Sequence, residues 1–262
     1  MQTRRIYIGL FVAIAFLLAC KREIDPPAFP ADARINFFNA AHYPTPYIAV
    51  DASDAAHFQH PAVLDFFGRQ SYPISLYGGE VKQGAIVYMS LPAGAHQFYF
   101  ADTGKVLRTE KELDMQAGSY TALYLTDSLL HYDVIAVAAN PFEQHPGKIK
   151  IRIINLVPDL LLNAKMVAGD GSQYSNGLPR EIPYKTITSY FEPDTSQALN
   201  GSFFFRFYHQ DANGEVLVGT APAVKATPGR AYTVVVQGYR DQYSVSGIAF
   251  KKGITAVVRV EN

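Results

Sequence analysis

The sequence predicts an all-β protein: two tandem immunoglobulin-like β-sandwich domains behind a cleaved signal peptide and a Pro-rich tether. Three observations predict this. Short segments alternate apolar and polar residues with the period of a half-buried strand, and Gly, Pro, Asn and Asp close them. Strand and turn formers dominate, with 17 Tyr, 17 Phe, 19 Gly, 16 Pro and no Trp. The signature segments also occur twice. With 48% hydrophobic residues and 23 basic against 23 acidic side chains, the 262-residue chain is globular in composition and carries no electrostatic footprint for nucleic acid.

The first element is an address. Arg4 and Arg5 precede an uncharged 14-residue run, Ile6–Ala19, which ends abruptly at Cys20-Lys21-Arg22-Glu23. A basic start and a short apolar run make a secretory signal, and the run is shorter than the ~20 residues a spanning helix needs. The alternative is an uncleaved N-terminal membrane anchor. Cys20, the only cysteine of the chain, directly follows Leu17-Leu18-Ala19, which resembles the lipobox of bacterial lipoproteins. That resemblance implies cleavage before Cys20, a signal peptide over 1–19 and a diacylglycerol on the Cys20 thiol. A chain with no second thiol has no internal disulfide for Cys20 to make. Two or three acyl chains anchor firmly where one holds marginally, at about 0.8 kcal/mol per buried CH₂. Lys21 stands where Asp would favour inner-membrane retention, so the expected location is the cell envelope, as an outer-membrane lipoprotein facing the periplasm or the surface. Residues 20–32 form the lipidated Cys and its tether: Pro26-Pro27-Ala28-Phe29-Pro30 runs extended, and the tether reaches up to about 40 Å.

The body repeats itself. Arg34-Ile35-Asn36-Phe37-Phe38-Asn39 matches Lys150-Ile151-Arg152-Ile153-Ile154-Asn155 position by position, and each reads as a half-buried strand closed by Asn. Phe98-Tyr99-Phe100 followed by Asp102-Thr103-Gly104-Lys105-Val106-Leu107 echoes Phe203–Tyr208 followed by Asn213-Gly214-Glu215-Val216-Leu217, and both read as hairpins. Asn-Gly between strands predicts a type I′ turn there. Ala117-Gly118-Ser119-Tyr120-Thr121 echoes Pro228-Gly229-Arg230-Ala231-Tyr232-Thr233, with one extra residue in the second copy. Each unit then ends in a late strand, Tyr132–Val137 and Ser244–Phe250, and Thr255–Val260 finishes the chain. The turn-rich segment 140–148 is the linker, which puts the repeats at 33–139 and 149–262. Some seven short strands in about 110 residues is the spacing of an immunoglobulin-type sandwich. Asp54–Gly68, interrupted by Pro61, is an insertion confined to the first repeat and reads as an irregular loop.

These motifs resemble domain of unknown function 4397, a family of bacterial exported and cell-envelope proteins. The matching residues are Asn39, Pro44, Val50-Asp51, Leu91-Pro92-Ala93-Gly94 and Ala117–Thr121 in the first repeat, and Asn155, Val157-Pro158-Asp159 and Gly229–Thr233 in the second. The second repeat departs from the pattern, with Met166-Val167 for Val-Asp and Glu192-Pro193-Asp194 for Pro-Ala-Gly. The resemblance implies fold and location, and it brings no catalytic residues with it.

Chemistry-bearing motifs are few. There is no Gly-x-Ser-x-Gly elbow, no phosphate loop and no zinc helix. No catalytic residue, metal ligand or cofactor is therefore expected. His57 and His60 with Asp54 and Asp65 read as a solvated polar loop, their spacing being loose for zinc. Asp211–Glu215 lacks the distal acid of a calcium loop. Tyr43, Tyr47, Phe58, Phe66, Phe67, Tyr72 and Tyr77 cluster in and beside the first-repeat loops, either as an exposed platform or as loop and core packing. The expected function is a non-enzymatic, lipid-anchored envelope protein, structural or protein-interacting, with the membrane as one partner and an envelope protein or glycan as another. The alternatives are a glycan- or peptide-binding module using those aromatics, and a carboxylate-dependent hydrolase whose two acids converge from distant loops.

Overall fold

The structure is a computed structural model that describes residues 32–41, 47–51, 88–102, 104–139, 148–168, 171–174, 177–193, 202–225, 227–250 and 252–261. It is all-β: no helix occurs among the described residues. The first repeat contributes β1 (Ala33–Asn39), β2 (Tyr47–Val50), β3 (Met89–Leu91), β4 (Gly94–Ala101), β5 (Leu107–Met115), β6 (Tyr120–Ser128) and β7 (His131–Ala139). The second contributes β8 (Lys150–Leu156), β9 (Asn163–Val167), β10 (Gln173–Tyr174), β11 (Thr186–Ile187), β12 (Ser202–Asp211), β13 (Gly214–Thr220), β14 (Val224–Lys225), β15 (Ala231–Tyr239), β16 (Tyr243–Val245), β17 (Ile248–Phe250) and β18 (Gly253–Val260).

The repetition read from the sequence is also topological. In the first repeat one sheet runs β3-β1-β6-β7 and faces a second, β2-β4-β5; in the second repeat β11-β8-β15-β18 faces β10-β9-β12-β13, with β14 also on β12. Each first strand pairs in parallel with the late strand of its repeat, β1 with β6 and β8 with β15. Between each pair of sheets lies an apolar core. Ile35, Phe37, Phe98, Phe100, Leu123 and Leu125 fill the first, and Ile151, Ile153, Phe203, Phe205, Phe207, Val234 and Val236 the second. Alternation does this work: in β12, Phe203, Phe205 and Phe207 point inward while Phe204, Arg206 and Tyr208 stay half-exposed.

The two repeats are not beads on a string. Residues 32–262 form one compact unit, and a third apolar cluster joins Phe38, Ala122, Tyr124 and Val137 to Ile154, Leu156, Val235 and Val257. These residues lie on the faces of β1, β6, β7 and of β8, β15, β18 opposite the sandwich cores, so the two parallel-containing sheets pack back to back and four sheets stack in series. The alternation in β1 and β8 predicts strands with one solvated face. Instead both faces are buried, and the polar positions Asn36 and Arg152 sit between the repeats, at 6% exposure each.

Three local expectations meet their structure here. Asn39 and Asn155 close their strands in the same way, each side-chain oxygen accepting the amide two residues on, from Ala41 and from Val157, at 2.9 Å. The extra residue after Gly229 changes a face. Arg34 pairs with Tyr120 and the matching Lys150 with Ala231, so the glycine turn, and not the Tyr-Thr pair, sets the register. Tyr232 thereby enters the second core, whereas Tyr120 lies on the opposite face beside Arg34. The β12–β13 turn is not type I′: the positive φ falls on Gly214, at 121°, and not on Asn213, because Asp211 and Gly214 are the facing pair and the turn is Ala212-Asn213. The predicted strand Ser244–Phe250 is a small hairpin, β16 against β17. The linker at 140–147 and the insertion at 54–68 lie outside the described residues.

Candidate functional site

Of the residues singled out in the sequence, Cys20, Tyr43, Phe58, Phe66, Phe67, Tyr72 and Tyr77, together with Asp54, His57, His60 and Asp65, lie outside the described residues. Tyr47 opens β2 opposite Ala101, half-buried, and packs with Tyr99 over Ala49 and Ala101. It is a cover for two small residues on the sheet. Among the described residues no three His, Cys, Asp or Glu side chains converge as a metal site.

Two motifs of the first repeat meet at one charged contact. Val50-Asp51 ends β2 and Pro92-Ala93-Gly94 opens β4, and His96 bridges them: its Nδ1 lies 2.7 Å from Asp51 Oδ2 and its Nε2 2.7 Å from the Pro92 carbonyl. Both partners are acceptors, an arrangement that favours the doubly protonated ring, in which both nitrogens donate. Burial opposes that charge, but the Asp51 carboxylate and the Pro92 carbonyl outweigh it and raise the His96 pKa. Burial likewise opposes ionisation of Asp51, and the Gln97 amide and His96 overcome it, lowering its pKa. With both nitrogens occupied the ring has no lone pair to offer a substrate. It ties the residue that follows β2 to the residue two before β4.

The densest polar site lies between the repeats and was not legible as a site in the sequence. Arg152 on β8 donates from Nη2 to Glu261 Oε1 at 2.7 Å, from Nε to Thr233 Oγ1 at 2.9 Å, and from Nη1 to the Ala138 carbonyl of the first repeat at 3.0 Å. Thr233 and the Tyr190 hydroxyl also donate to Glu261, and the Tyr190 ring lies 4.8 Å under the guanidinium. Burial works against the Arg152 charge, but Glu261 more than restores it. Burial and the Glu261 carboxylate together push the Tyr190 hydroxyl well above the ordinary phenol range. Beside this group Arg259 donates to Asn36 and rests 5.1 Å from the Phe38 ring and 5.4 Å from the Tyr124 ring. Further along the same seam, the Tyr239 hydroxyl donates to Asp127 Oδ2 at 2.9 Å and accepts the Leu129 amide at 2.9 Å. Burial and Asp127 raise its pKa too. The hydrogen bonds that cross from one repeat to the other are those of Arg152 to Ala138, Arg259 to Asn36, and Tyr239 with Asp127 and Leu129.

A cleft of about 270 Å³ lies in the second repeat, lined by Val216, Val218 and Ile254 together with His209, Arg240 and Lys252. Arg240 is held by Asp241 at 2.6 Å, and the Tyr243 hydroxyl by Asp159 at 2.7 Å, a contact that lifts its pKa to about 12. The walls are apolar residues of an edge strand and exposed charges. Such a lining suits a protein segment better than a reaction. Compared with known proteins, the chain matches no protein-family model and no curated sequence.

Proposed function

We propose that this chain is a lipid-anchored cell-envelope protein whose two immunoglobulin-type repeats act as one stiff, non-enzymatic body, held off the membrane by the Pro-rich tether and presenting its outer sheets and loops to a partner. The observation that carries the reading is Cys20, the single cysteine, set directly after an uncharged run with a basic start. The fold supports it from the other end. Arg152, Glu261, Arg259 and Asp127, four of the buried charged groups among the described residues, lie at the contact between repeats, and a rigid spacer or interaction module is what such a contact makes. The domain family resembled in sequence, domain of unknown function 4397, fits this reading as an exported, envelope-associated one. The test is metabolic labelling with a fatty-acid probe in a bacterial host. Wild-type chain takes up label and is processed, and Cys20→Ala takes up none and accumulates as precursor. Equal labelling of both refutes the anchor.

A further inference from the structure

Two long strands bound the outer sheets at equivalent places in the two repeats, and they treat their free edges in opposite ways. β5 is Leu-Arg-Thr-Glu-Lys-Glu-Leu-Asp-Met, a strand whose exposed positions are Arg108, Glu110, Glu112 and Asp114, besides Leu107 at its start. Charges of this kind are the usual protection of a sheet edge, because most registers of a second copy bring like charges together. If a second β5 is centred on Lys111, Lys111 faces Lys111 and Glu110 faces Glu112. If it is centred on Glu110 or Glu112, a glutamate faces itself.

β13 is Gly-Glu-Val-Leu-Val-Gly-Thr and has no such protection. Val216 and Leu217, in mid-strand, are 45% and 49% exposed. Its one charge, Glu215, is already paired with Lys165 on the same sheet. Among the described residues β13 has a pairing partner, β12, on one side only. Its pairing with β12 stays regular from Gly214 to Leu217 and shifts only beyond, where Phe207 meets Gly219.

We propose that β13 is the self-association edge of this protein: two copies join antiparallel across a twofold axis through Val216. In that register Val216 faces Val216, Glu215 faces Leu217 and Gly214 faces Val218 of the second copy. No charge meets its like, and the paired valines cover the mouth of the cleft that Val216 and Val218 line. An isologous contact of this kind closes at two copies. The proposal does not depend on lipidation.

Sedimentation velocity of the full chain in non-ionic detergent over a concentration series tests it. Wild-type chain shows a concentration-dependent monomer–dimer equilibrium. Val216→Lys, which sets two ammonium groups face to face on the axis, weakens dimerisation at least about tenfold. Val106→Lys, at the exposed apolar residue just ahead of β5, leaves it unchanged. Both positions are about half-exposed, so neither change touches a core, and circular dichroism confirms folding. A wild-type chain that stays monomeric throughout, a Val216→Lys chain that dimerises like wild type, or an equal loss in both variants overturns the proposal.

Discussion

At the scale of single residues, His96 shows how a sequence motif becomes a contact. Asp51 and Pro92 stand 41 positions apart in the chain, and one imidazolium joins them. The pH dependence follows from the two shifts. His96, whose pKa is raised, stabilises fully below its ordinary value near 6.5 and loses this as pH rises through its folded-state pKa. Asp51, whose pKa is lowered, stabilises fully above its ordinary value near 3.8 and loses this as pH falls through its folded-state pKa. The bridge is therefore complete between about pH 4 and 6.5. His96→Gln should cost no more than about 1 kcal/mol in that window, since the Asp51 side chain is half-exposed and screened by water. The cost should shrink on both sides of it. Thermal unfolding of the two proteins from pH 3 to 9 measures this, and a difference that does not change with pH contradicts the assignment. The second repeat, with Met166-Val167 and Glu192-Pro193 in the matching places, has no equivalent bridge among its described residues, and its Ala168 amide reaches the Ser172 carbonyl instead.

At the scale of elements, the pairing of β15 with β18 depends on one glycine. Gly238 has φ 109°, and a Cβ there would lie 2.1 Å from the Gly253 carbonyl oxygen. Any side chain is thus both strained and in collision with the backbone of the neighbouring strand. Gly238→Ala should destabilise by roughly 3 kcal/mol or more, as the end of β18 separates from β15. A fall in the urea midpoint is the expected reading, and an unchanged midpoint would show that the strands have slack at this point. The neighbouring Gly253, φ 158°, has open space around its Cβ position and lies near extended backbone. The contrast of β5 with β13 belongs to this scale as well: two equivalent hairpins differ in the charge and apolar exposure of their outer strands.

At the scale of the whole molecule, the seam between the repeats decides how the body unfolds. Separating them would expose Phe38, Tyr124, Ile154, Leu156 and Val235, all at most 4% exposed, and would strand Arg152, Glu261 and Arg259. The two repeats should therefore melt as one unit, with equal calorimetric and van't Hoff enthalpies. Glu261→Gln leaves the Arg152 charge buried without its counter-ion and should cost about 3–5 kcal/mol, whereas the apolar pair Arg152→Met with Glu261→Leu should cost less than that single change. Differential scanning calorimetry reads both. Two resolved transitions in the wild-type chain would mean that the seam is not what holds the repeats together.

By itself the sequence determined the strands, their duplication and the turns that bound them, because these depend on nearest neighbours: alternation in Phe203–Tyr208, Gly at 118 and 229, Asn at 39 and 155. The export address proposed for residues 1–20 is likewise read from nearest neighbours alone. Only the tertiary structure decided what the polar places in those strands face. Arg152, flanked by Ile151 and Ile153, has the pattern of a solvated position, and so does Asn36. An alternating strand marks two faces but not what covers the second one. Here a copy of the same sheet covers it, and the one-residue difference after Gly229 sets which side chains of the second copy enter that seam. A residue's burial depends on the partner that the fold brings to it, and for Asn36 that partner, Arg259, lies 223 residues away.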